Sequence, residues 1–344
     1  MRSGEYKNMN SFSIGAKDIV WTCKVFLLSV FFAFILAIVA YTLTFLTPEP
    51  EPASEVVSEV IMSTASAATS KVAVTSVYIN PMWAIFFFNS LAACCAIIGT
   101  GLFMMVHKLL IGDIAMRPKN RYYAGLSILM EKTMMPLYKV LMRIASALDP
   151  DMLEIKSENN EKVDTIWQYC GYGKYEYRMF SYMLPYTVPL LILLVNGTIM
   201  GILLAYFTFN GALTGFELFG EKGIVLGLFY NVVYFFISII PHGIIEIPAL
   251  LVAAAVGYHF AHIQAQDVIK NKLFTGDEIE SLLKDTEYIF ETTKEYLFLS
   301  YTWKMAALIV LTLLLAAYIE TYVTLGIVDK VMGSIDGILE PYLA

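Results

Sequence analysis

The sequence is poor in charged residues. Only 15% of its 344 residues are Asp, Glu, Lys or Arg, whereas 58% are hydrophobic; an ordinary soluble domain carries about 25% charge. Because so little polar surface cannot cover a water-soluble globule, lipid must surround much of the chain. The same composition excludes disordered, collagen-like and coiled-coil proteins. The formal net charge of −7 argues against binding to nucleic acid, which requires a basic surface.

Cysteine and histidine are scarce, which limits disulfide and metal chemistry. Three of the four cysteines lie in or at the edge of apolar runs and the fourth stands alone, so they form no disulfide framework. They are Cys23, Cys94, Cys95 and Cys170. His242 and Glu246 are one helical turn apart and could share an ion, but His259 and His262 lie about 25 Å further along the same run. We therefore expect no metal centre and no cofactor.

Long apolar runs dominate the sequence instead. A membrane-spanning helix needs roughly 20 mostly apolar residues, and we count six such stretches. The predicted fold is all-α: a polytopic transmembrane helical bundle of about six spans, with a fourth and fifth helix pair broken by proline, plus amphipathic interfacial helices. The chain begins with a predicted cytoplasmic leader and the first transmembrane helix (residues 1–46), followed by an extracytoplasmic loop rich in Pro, Ser and Glu (47–80) and a second span (81–110). A cytoplasmic or interfacial helical insertion (111–178) precedes the core spans (179–263). An amphipathic helix (264–299) and the last span with its tail (300–344) complete the prediction.

Two segments outside the spans have amphipathic patterns. Residues 123–148 predict a helix that mixes Met, Leu and Ile with basic side chains. Residues 275–297 predict a second helix, which begins with a capping box of Thr275 and Glu278. Aromatic residues cluster after residue 166, and we interpret them as an interfacial belt. They are Trp167, Tyr169, Tyr172, Tyr175 and Tyr177.

Basic residues predict the orientation, since cytoplasmic loops are enriched in Lys and Arg. Four basic residues precede or enter the first span and seven lie between residues 106 and 147, whereas loop 47–80 has Lys71 alone beside four Glu. The N-terminus and segment 111–178 are therefore predicted to face the cytoplasm, in a multi-pass protein of the cell membrane. Two spans on either side of Pro241-His242-Gly243 would place segment 264–299 outside, whereas a re-entrant hairpin would place it inside; we favour two spans.

Glu246 and Glu320 lie in otherwise apolar helices, where an ionised side chain costs about 2.5–3.5 kcal/mol on the insertion scale. At 1.5 Å per residue, both lie about 24–29 Å from the membrane face that carries segment 264–299. We therefore expect the two acids and His242 at a similar depth. We favour a role in holding neighbouring helices in register, through backbone groups freed at the nearby prolines. Binding of a proton or ion and catalysis are the alternatives.

Small residues accompany polar side chains in mid-span. Asn196-Gly197-x-x-x-Gly201 gives one helix a small-residue face with an amide beside it, and Asn89 lies in a similar position in the second span. This pattern is typical of closely packed membrane helices joined by an interhelical hydrogen bond. It favours a tight bundle over a wide aqueous pore, and it is compatible with a homo-oligomer.

Four motifs carry a resemblance to a known family. The most specific is Pro241-His242-Gly243-Ile244-Ile245-Glu246-Ile247-Pro248. Three others support it: Asn196-Gly197-x-x-x-Gly201, Phe87-Phe88-Asn89-Ser90-Leu91 with Gly99–Gly101, and Ala316-Ala317-Tyr318-Ile319-Glu320-Thr321-Tyr322-Val323-Thr324. Together they resemble the motifs of the stage II sporulation protein M family of integral membrane proteins, over residues 85–110 and 185–325.

The chain departs from the pattern of this family at segment 111–178 and at loop 47–80, which indicates a divergent, archaeal-type branch. Ser90 stands where the family usually has a second Asn, and Leu325 where it usually has Pro. The resemblance implies a non-enzymatic integral membrane protein with a helical fold. In spore formers the family member anchors a peptidoglycan-degrading complex, and we do not transfer that role to this chain. The motif positions that the resemblance carries over are Asn196, His242, Glu246, Pro248 and Glu320.

Three functions remain open at this stage. We favour a scaffold that assembles partner proteins at the membrane, because catalytic constellations are missing and segments 111–178 and 264–299 are large enough for docking. The alternative is a channel or secondary transporter that uses Glu246 and Glu320 for proton or ion coupling. An intramembrane hydrolase using His242 and Glu246 would need a further ligand or nucleophile. The expected partners are the lipid bilayer, other proteins and a second copy of the chain, without nucleic acid.

Overall fold

The computed structural model describes residues 12–46, 74–148 and 165–343, in which all regular structure is helical. Most of predicted loop 47–80 and residues 149–164 lie outside this described part. The α-helices of ten residues or more are α1 (Ala16–Leu46), α2 (Pro81–Cys94), α3 (Val106–Met116), α4 (Arg121–Leu148), α5 (Lys174–Met183), α6 (Thr187–Phe219), α7 (Glu221–Lys270), α8 (Ile279–Phe298), α9 (Ser300–Ile319) and α10 (Leu325–Leu343). A π turn follows α2 at Cys95–Gly99, and a second one follows α9 at Glu320–Thr324.

Five helical stretches among the described residues are long and apolar enough to cross a membrane. They are Ala16–Leu46, Pro81–Lys119, Lys174–Phe219, Glu221–Lys270 and Ser300–Ile338. The prediction of an all-α transmembrane bundle is therefore confirmed, with a span count one lower than expected.

The predicted break into a fourth and a fifth span is wrong. Pro241 and Pro248 lie inside α7, which is a single helix of 50 residues. A proline removes one helical hydrogen bond and clashes with the preceding turn. In an apolar environment, however, the remaining backbone groups find partners only within the helix, because lipid offers none. Two prolines therefore distort α7 without ending it, and one long helix replaces the predicted pair.

The segment predicted as one amphipathic helix at 264–299 contains a chain reversal. α7 continues to Lys270 and α8 begins at Ile279, so the predicted capping box does not form. The hydroxyl of Thr275 donates instead to the carbonyl of Lys272, at 2.9 Å. Lys272 and Phe274 have positive φ angles of 50° and 59°, and the Phe274 amide donates to Asp285 at 2.7 Å. These contacts turn the chain back before α8 starts.

The chain folds into two compact units, to which the long helices contribute different portions. Of the described residues, the first unit comprises 12–14, 95–148, 165–189 and 256–303. The second unit comprises 15–46, 74–94, 190–255 and 304–343.

The first unit has an aromatic core. Tyr177 is 2% exposed, and its ring lies 5.2 Å from that of Phe274, on which His107 stacks. Trp167 and Tyr172 also pack against Tyr177. The interpretation of the aromatic cluster as an interfacial belt is therefore wrong for its central members, since they fill the interior of this unit instead of facing lipid.

The second unit is held together by small residues at helix crossings. In the hairpin of α6 and α7, a Cβ on Gly215 would lie 2.1 Å from the carbonyl oxygen of Gly223, so only glycine fits there. Gly220 forms the turn with a φ of +68°, which glycine adopts without strain. Where α1 crosses α6, Ser29 donates to the carbonyl of Leu194 at 2.9 Å. These close approaches pack α7, which carries two of the polar residues described next, against α6, and α6 against α1.

Candidate functional site

His242, Glu246 and Glu320 converge in the second unit. One ligand atom from each side chain lies within 4.8 Å of the other two, and all three side chains are half-buried. His242 and Glu246 are one turn apart on α7, and Glu320 is the first residue of the π turn after α9. Three ionisable groups that are far apart in sequence thus meet at one point in an otherwise apolar bundle.

The helix backbone is irregular on both sides of this cluster. Pro241 and Pro248 flank the motif on α7; because Pro248 has no N–H, the carbonyl of Ile244 has lost its helical donor. On the opposite side, the π turn Glu320–Thr324 inserts an extra residue into the last span. Single π turns of this kind occur frequently at functional sites. The irregularities expose backbone polar groups next to the ionisable side chains.

Thr324 orients the imidazole of His242. The Thr324 hydroxyl lies 3.4 Å from Nδ1 of His242 and donates to the carbonyl of Ile319 at 3.1 Å. When the hydroxyl donates to Ile319, its oxygen can accept from Nδ1–H. In that tautomer the lone pair of the imidazole lies on Nε2.

Asn89 extends the cluster to a third helix. Its side-chain amide, from α2, lies close to the carboxylate of Glu246. Two hydroxyl oxygens adjacent in sequence to the cluster, those of Ser90 and Thr321, are buried without a hydrogen-bond partner. Polar groups from α2, α7 and the α9 turn therefore surround one position.

In the part of the chain that the structure describes, the two carboxyl groups of the cluster have no basic side chain that would balance their charge when they are ionised. Within the described residues, neither Glu246 nor Glu320 forms an ion pair with Lys or Arg. A buried carboxylate without a partner is strongly unfavourable. Two of them together require either protons or a bound cation, and the imidazole lone pair adds a third ligand for the latter.

The other predicted site residues do not join this cluster. Asn196 donates to the carbonyl of Ile192 on its own helix, at 2.8 Å. Gly197 and Gly201 face α1, where a Cβ would meet backbone atoms of Phe26 and Val30. Gly243 faces side chains of its own helix. The Asn-Gly-x-x-x-Gly motif therefore packs α6 against α1, while its amide makes no interhelical hydrogen bond to any residue that the structure describes.

The sequence analysis predicted no metal centre because His259 and His262 lie far from His242 and Glu246. The structure brings Glu320 to within 4.8 Å of both His242 and Glu246, where it could serve as a third ligand. The sequence analysis singled out Glu320 for its depth in the membrane. Depth alone does not reveal on which side of its helix a residue lies. Thr324 belongs to the final-helix motif, but the sequence analysis gave it no role, since a Thr at a span end gives no distinctive signal.

A family model described as stage II sporulation protein M matches residues 144–325. The match covers just over half of the chain and includes His242, Glu246 and Glu320, whereas Asn89 lies before it. No curated protein and no solved structure gives a match.

Proposed function

Since the chain belongs to the stage II sporulation protein M family and is a multi-pass membrane protein, we propose that it binds a cation inside the bilayer and moves it across. The observation that carries this proposal is the convergence of His242, Glu246 and Glu320 within 4.8 Å. In this proposal the protein is non-enzymatic and resides in the cell membrane. Its N-terminus faces the cytoplasm.

The unbalanced charge favours cation binding over a purely structural lock. An amide would serve equally well to hold helices in register by hydrogen bonds, and it would avoid the cost of a charge in lipid. Asn89 shows that the bundle already uses an amide at this level. Two carboxylates differ from an amide because they can be ionised. Their negative charge offsets the free energy that a cation loses when it leaves water.

The distorted backbone supports movement as well as binding. Broken or distorted helices near the middle of the membrane form the substrate sites of many secondary transporters, because their freed polar groups help to replace the hydration shell of an ion. Here the prolines of α7 and the π turn at Glu320–Thr324 lie beside the charged cluster. The same irregular positions could change shape between two states.

The test is ion flux in liposomes that contain the purified full-length protein. Proton, Na⁺, K⁺, Mg²⁺, Mn²⁺ and Zn²⁺ gradients are imposed in turn and followed with entrapped dyes. We expect flux of at least one of these cations that is abolished in Glu246→Gln and Glu320→Gln. It should persist in Glu221→Gln, which removes an exposed acid from the same helix as Glu246. A wild-type protein that conducts none of these cations would contradict the proposal.

A second candidate, a scaffold for partner proteins, is favoured by the surface of α4. Its exposed face carries a stripe of large apolar side chains that are 51–63% exposed. The stripe consists of Leu126, Leu129, Met130, Met134, Leu137 and Val140. Its opposite face packs into the first unit, where the hydroxyl of Tyr138 donates to the carbonyl of Glu176. A stripe of this kind suits either the lipid surface or another protein.

Photo-crosslinking from position 129 in native membranes separates these two occupants of the stripe. A scaffold gives a discrete protein adduct, to a partner or a second copy, that Met130→Asp removes and Lys132→Asp retains. Adducts with lipid alone would contradict the scaffold function. Cation flux does not depend on this result.

A further inference from the structure

We infer that the cation bound by His242, Glu246 and Glu320 is a divalent first-row transition metal such as Mn²⁺, Fe²⁺ or Zn²⁺. This inference rests on the proposed function, because it names the class of ion that the same site would carry. It adds a metal site with defined ligands and with two residues that orient them, Asn89 and Thr324.

The ligand set selects the class of metal. One imidazole nitrogen and carboxylate oxygens from two side chains offer mixed nitrogen and oxygen ligation. Ca²⁺ and Mg²⁺ prefer sites built from oxygen alone, and Cu⁺ prefers thiolate or thioether sulfur. Imidazole together with carboxylate suits Mn²⁺, Fe²⁺, Co²⁺ and Zn²⁺.

The charge of the site selects a divalent ion. Glu246 and Glu320 contribute two negative charges when ionised, and the neutral imidazole of His242 contributes none. A divalent cation therefore makes the cluster neutral, whereas Na⁺ or K⁺ would leave one negative charge in a region of low dielectric. Two protons would also neutralise the carboxylates, and the binding measurements described below distinguish protons from a metal ion.

The spacing of the ligand atoms allows the metal to enter. Bonds of about 2.0–2.2 Å from nitrogen or oxygen to zinc place neighbouring ligand atoms about 3–4 Å apart. The ligand atoms of His242, Glu246 and Glu320 now lie within 4.8 Å of one another. Rotation of the side chains around a bound ion would bring them about 1 Å closer together. Three protein ligands also leave at least one coordination position open, as exchangeable metal sites require and closed structural sites do not.

The surrounding hydrogen bonds are those that metal ligands require. A ligating histidine commonly donates its other ring nitrogen to an oxygen, which fixes the tautomer; here Nδ1 of His242 lies 3.4 Å from the Thr324 hydroxyl. Ligating carboxylates are likewise held by neighbouring polar groups, and the amide of Asn89 lies close to the carboxylate of Glu246. Asn89 and Thr324 therefore act as positioning residues for two of the three ligands.

The test measures binding separately from transport. The full-length protein in nanodiscs is treated with EDTA, dialysed against Mn²⁺ or Zn²⁺, and its metal content is determined by mass spectrometry. We expect one tightly bound ion per chain that a hundredfold excess of Mg²⁺ or Ca²⁺ does not displace. With Mn²⁺ bound, pulsed electron paramagnetic resonance should detect a coordinated imidazole nitrogen, and this signal should disappear in His242→Gln.

Matched variants locate the ion. Glu246→Gln and Glu320→Gln should each weaken binding at least a hundredfold, while Glu221→Gln and His259→Gln leave it unchanged. Asn89→Ala should weaken binding about tenfold, the usual effect of removing a residue that orients a metal ligand. Its control is Asn196→Ala, because the Asn196 amide bonds within its own helix.

Several outcomes would overturn the inference. These are the absence of stoichiometric binding in the wild-type protein, ready displacement by Mg²⁺, and binding that persists in both Glu variants. If protons or Na⁺ then still cross the membrane in a Glu246-dependent way, the proposed function stands and the metal inference alone fails. If the protein binds the metal tightly but no cation crosses the membrane, the metal inference stands and the proposed transport function fails.

Discussion

The indole nitrogen of Trp167 donates a hydrogen bond to the carbonyl oxygen of Gly276, at 3.2 Å. Two further contacts join the same segments: Lys174 reaches Asp277 at 3.1 Å, and Nε of Arg178 donates to the carbonyl of Leu273 at 3.0 Å. The insertion before α6 and the reversal before α8 are therefore parts of one packed unit. They must lie on the same side of the membrane.

This contact predicts the topology of the chain. A Cys placed at Lys132 on α4 and one placed at Glu287 on α8 should be labelled from the same side by a membrane-impermeant thiol reagent. With five spans, a Cys placed at Asp336 on α10 should be labelled from the opposite side. All three positions are exposed. The measurement uses intact cells and inverted vesicles, in a background that lacks the four native cysteines.

A six-span chain would give a different labelling pattern. Residue 287 would then react from the side opposite to residue 132, and residue 336 from the same side as residue 132. The experiment therefore decides between one long α7 and the two spans expected from the sequence. It also decides whether residues 106–147, which are rich in Lys and Arg, face the cytoplasm as their charge predicts.

Arg117 should be a strong determinant of stability in the first unit. Its side chain is 4% exposed and pairs with Glu131 at 2.5 Å and with Asp113. It also donates to the carbonyl of Tyr169 at 3.2 Å. Arg117→Met leaves two carboxylates facing each other without a cation, which we expect to cost about 3–5 kcal/mol.

Thermal unfolding in detergent measures this effect. A decrease of about 3–5 kcal/mol in the free energy of unfolding should lower the Tm by roughly 10 °C in a protein of this length. Arg121→Met is the control, since Arg121 is exposed and surface substitutions usually change stability by about 0.5 kcal/mol or less. Equal Tm values for the two variants would show that the Arg117 network does not stabilise the unit.

The sequence predicted well how deep the site residues lie in the membrane. It predicted poorly how each helix is rotated about its own axis. Counting residues from segment 264–299 placed Glu246 and Glu320 at one level, because the rise of a helix is constant. It could not show that Asn89 would face Glu246, since the rotation of one helix relative to another depends on packing across the whole bundle. The contact between Thr324 and His242 depends further on a π turn, which shifts the following residues around the helix axis.

The effect of proline was overestimated for a similar reason. Pro241 and Pro248 would end a helix in water, where the freed backbone groups can bond to solvent. In lipid those groups gain nothing by leaving the helix, so α7 continues through both. By contrast, the reversal at Lys272 and Phe274 depends on Asp285, eleven residues beyond Phe274. A local capping pattern at Thr275 could not reveal this competing contact.

Cys170 should be chemically inert despite its place in a loop. Burial raises the pKa of its thiol to about 12, so at pH 8 roughly one thiol in 10⁴ is ionised, against about one in four for a free cysteine. Because the thiolate is the nucleophile, alkylation at pH 8 should be about 10³-fold slower than for an exposed cysteine.

The comparison uses two variants with one cysteine each. One retains Cys170 and replaces Cys23, Cys94 and Cys95 by Ser; the other replaces all four and carries Lys132→Cys on the exposed face of α4. Iodoacetamide modification is followed by mass spectrometry between pH 7 and 9. Similar rates for the two thiols would show that Cys170 is neither buried nor shifted in pKa.

Gly201 and Gly326 should respond in opposite directions to the same substitution. A Cβ on Gly201 would lie 2.4 Å from the carbonyl oxygen of Val30 and 2.8 Å from Cβ of Ala33, both on α1. Because backbone cannot rotate away as a side chain can, Gly201→Ala must separate α6 from α1, at a cost of about 1–3 kcal/mol.

A Cβ on Gly326, in α10, meets nothing within 4 Å. Gly326→Ala should therefore gain up to about 1 kcal/mol from the higher helix propensity of Ala. Thermal unfolding of both variants in one detergent checks the signs, and a Tm that rises in both would show that α1 does not contact α6 at Gly201.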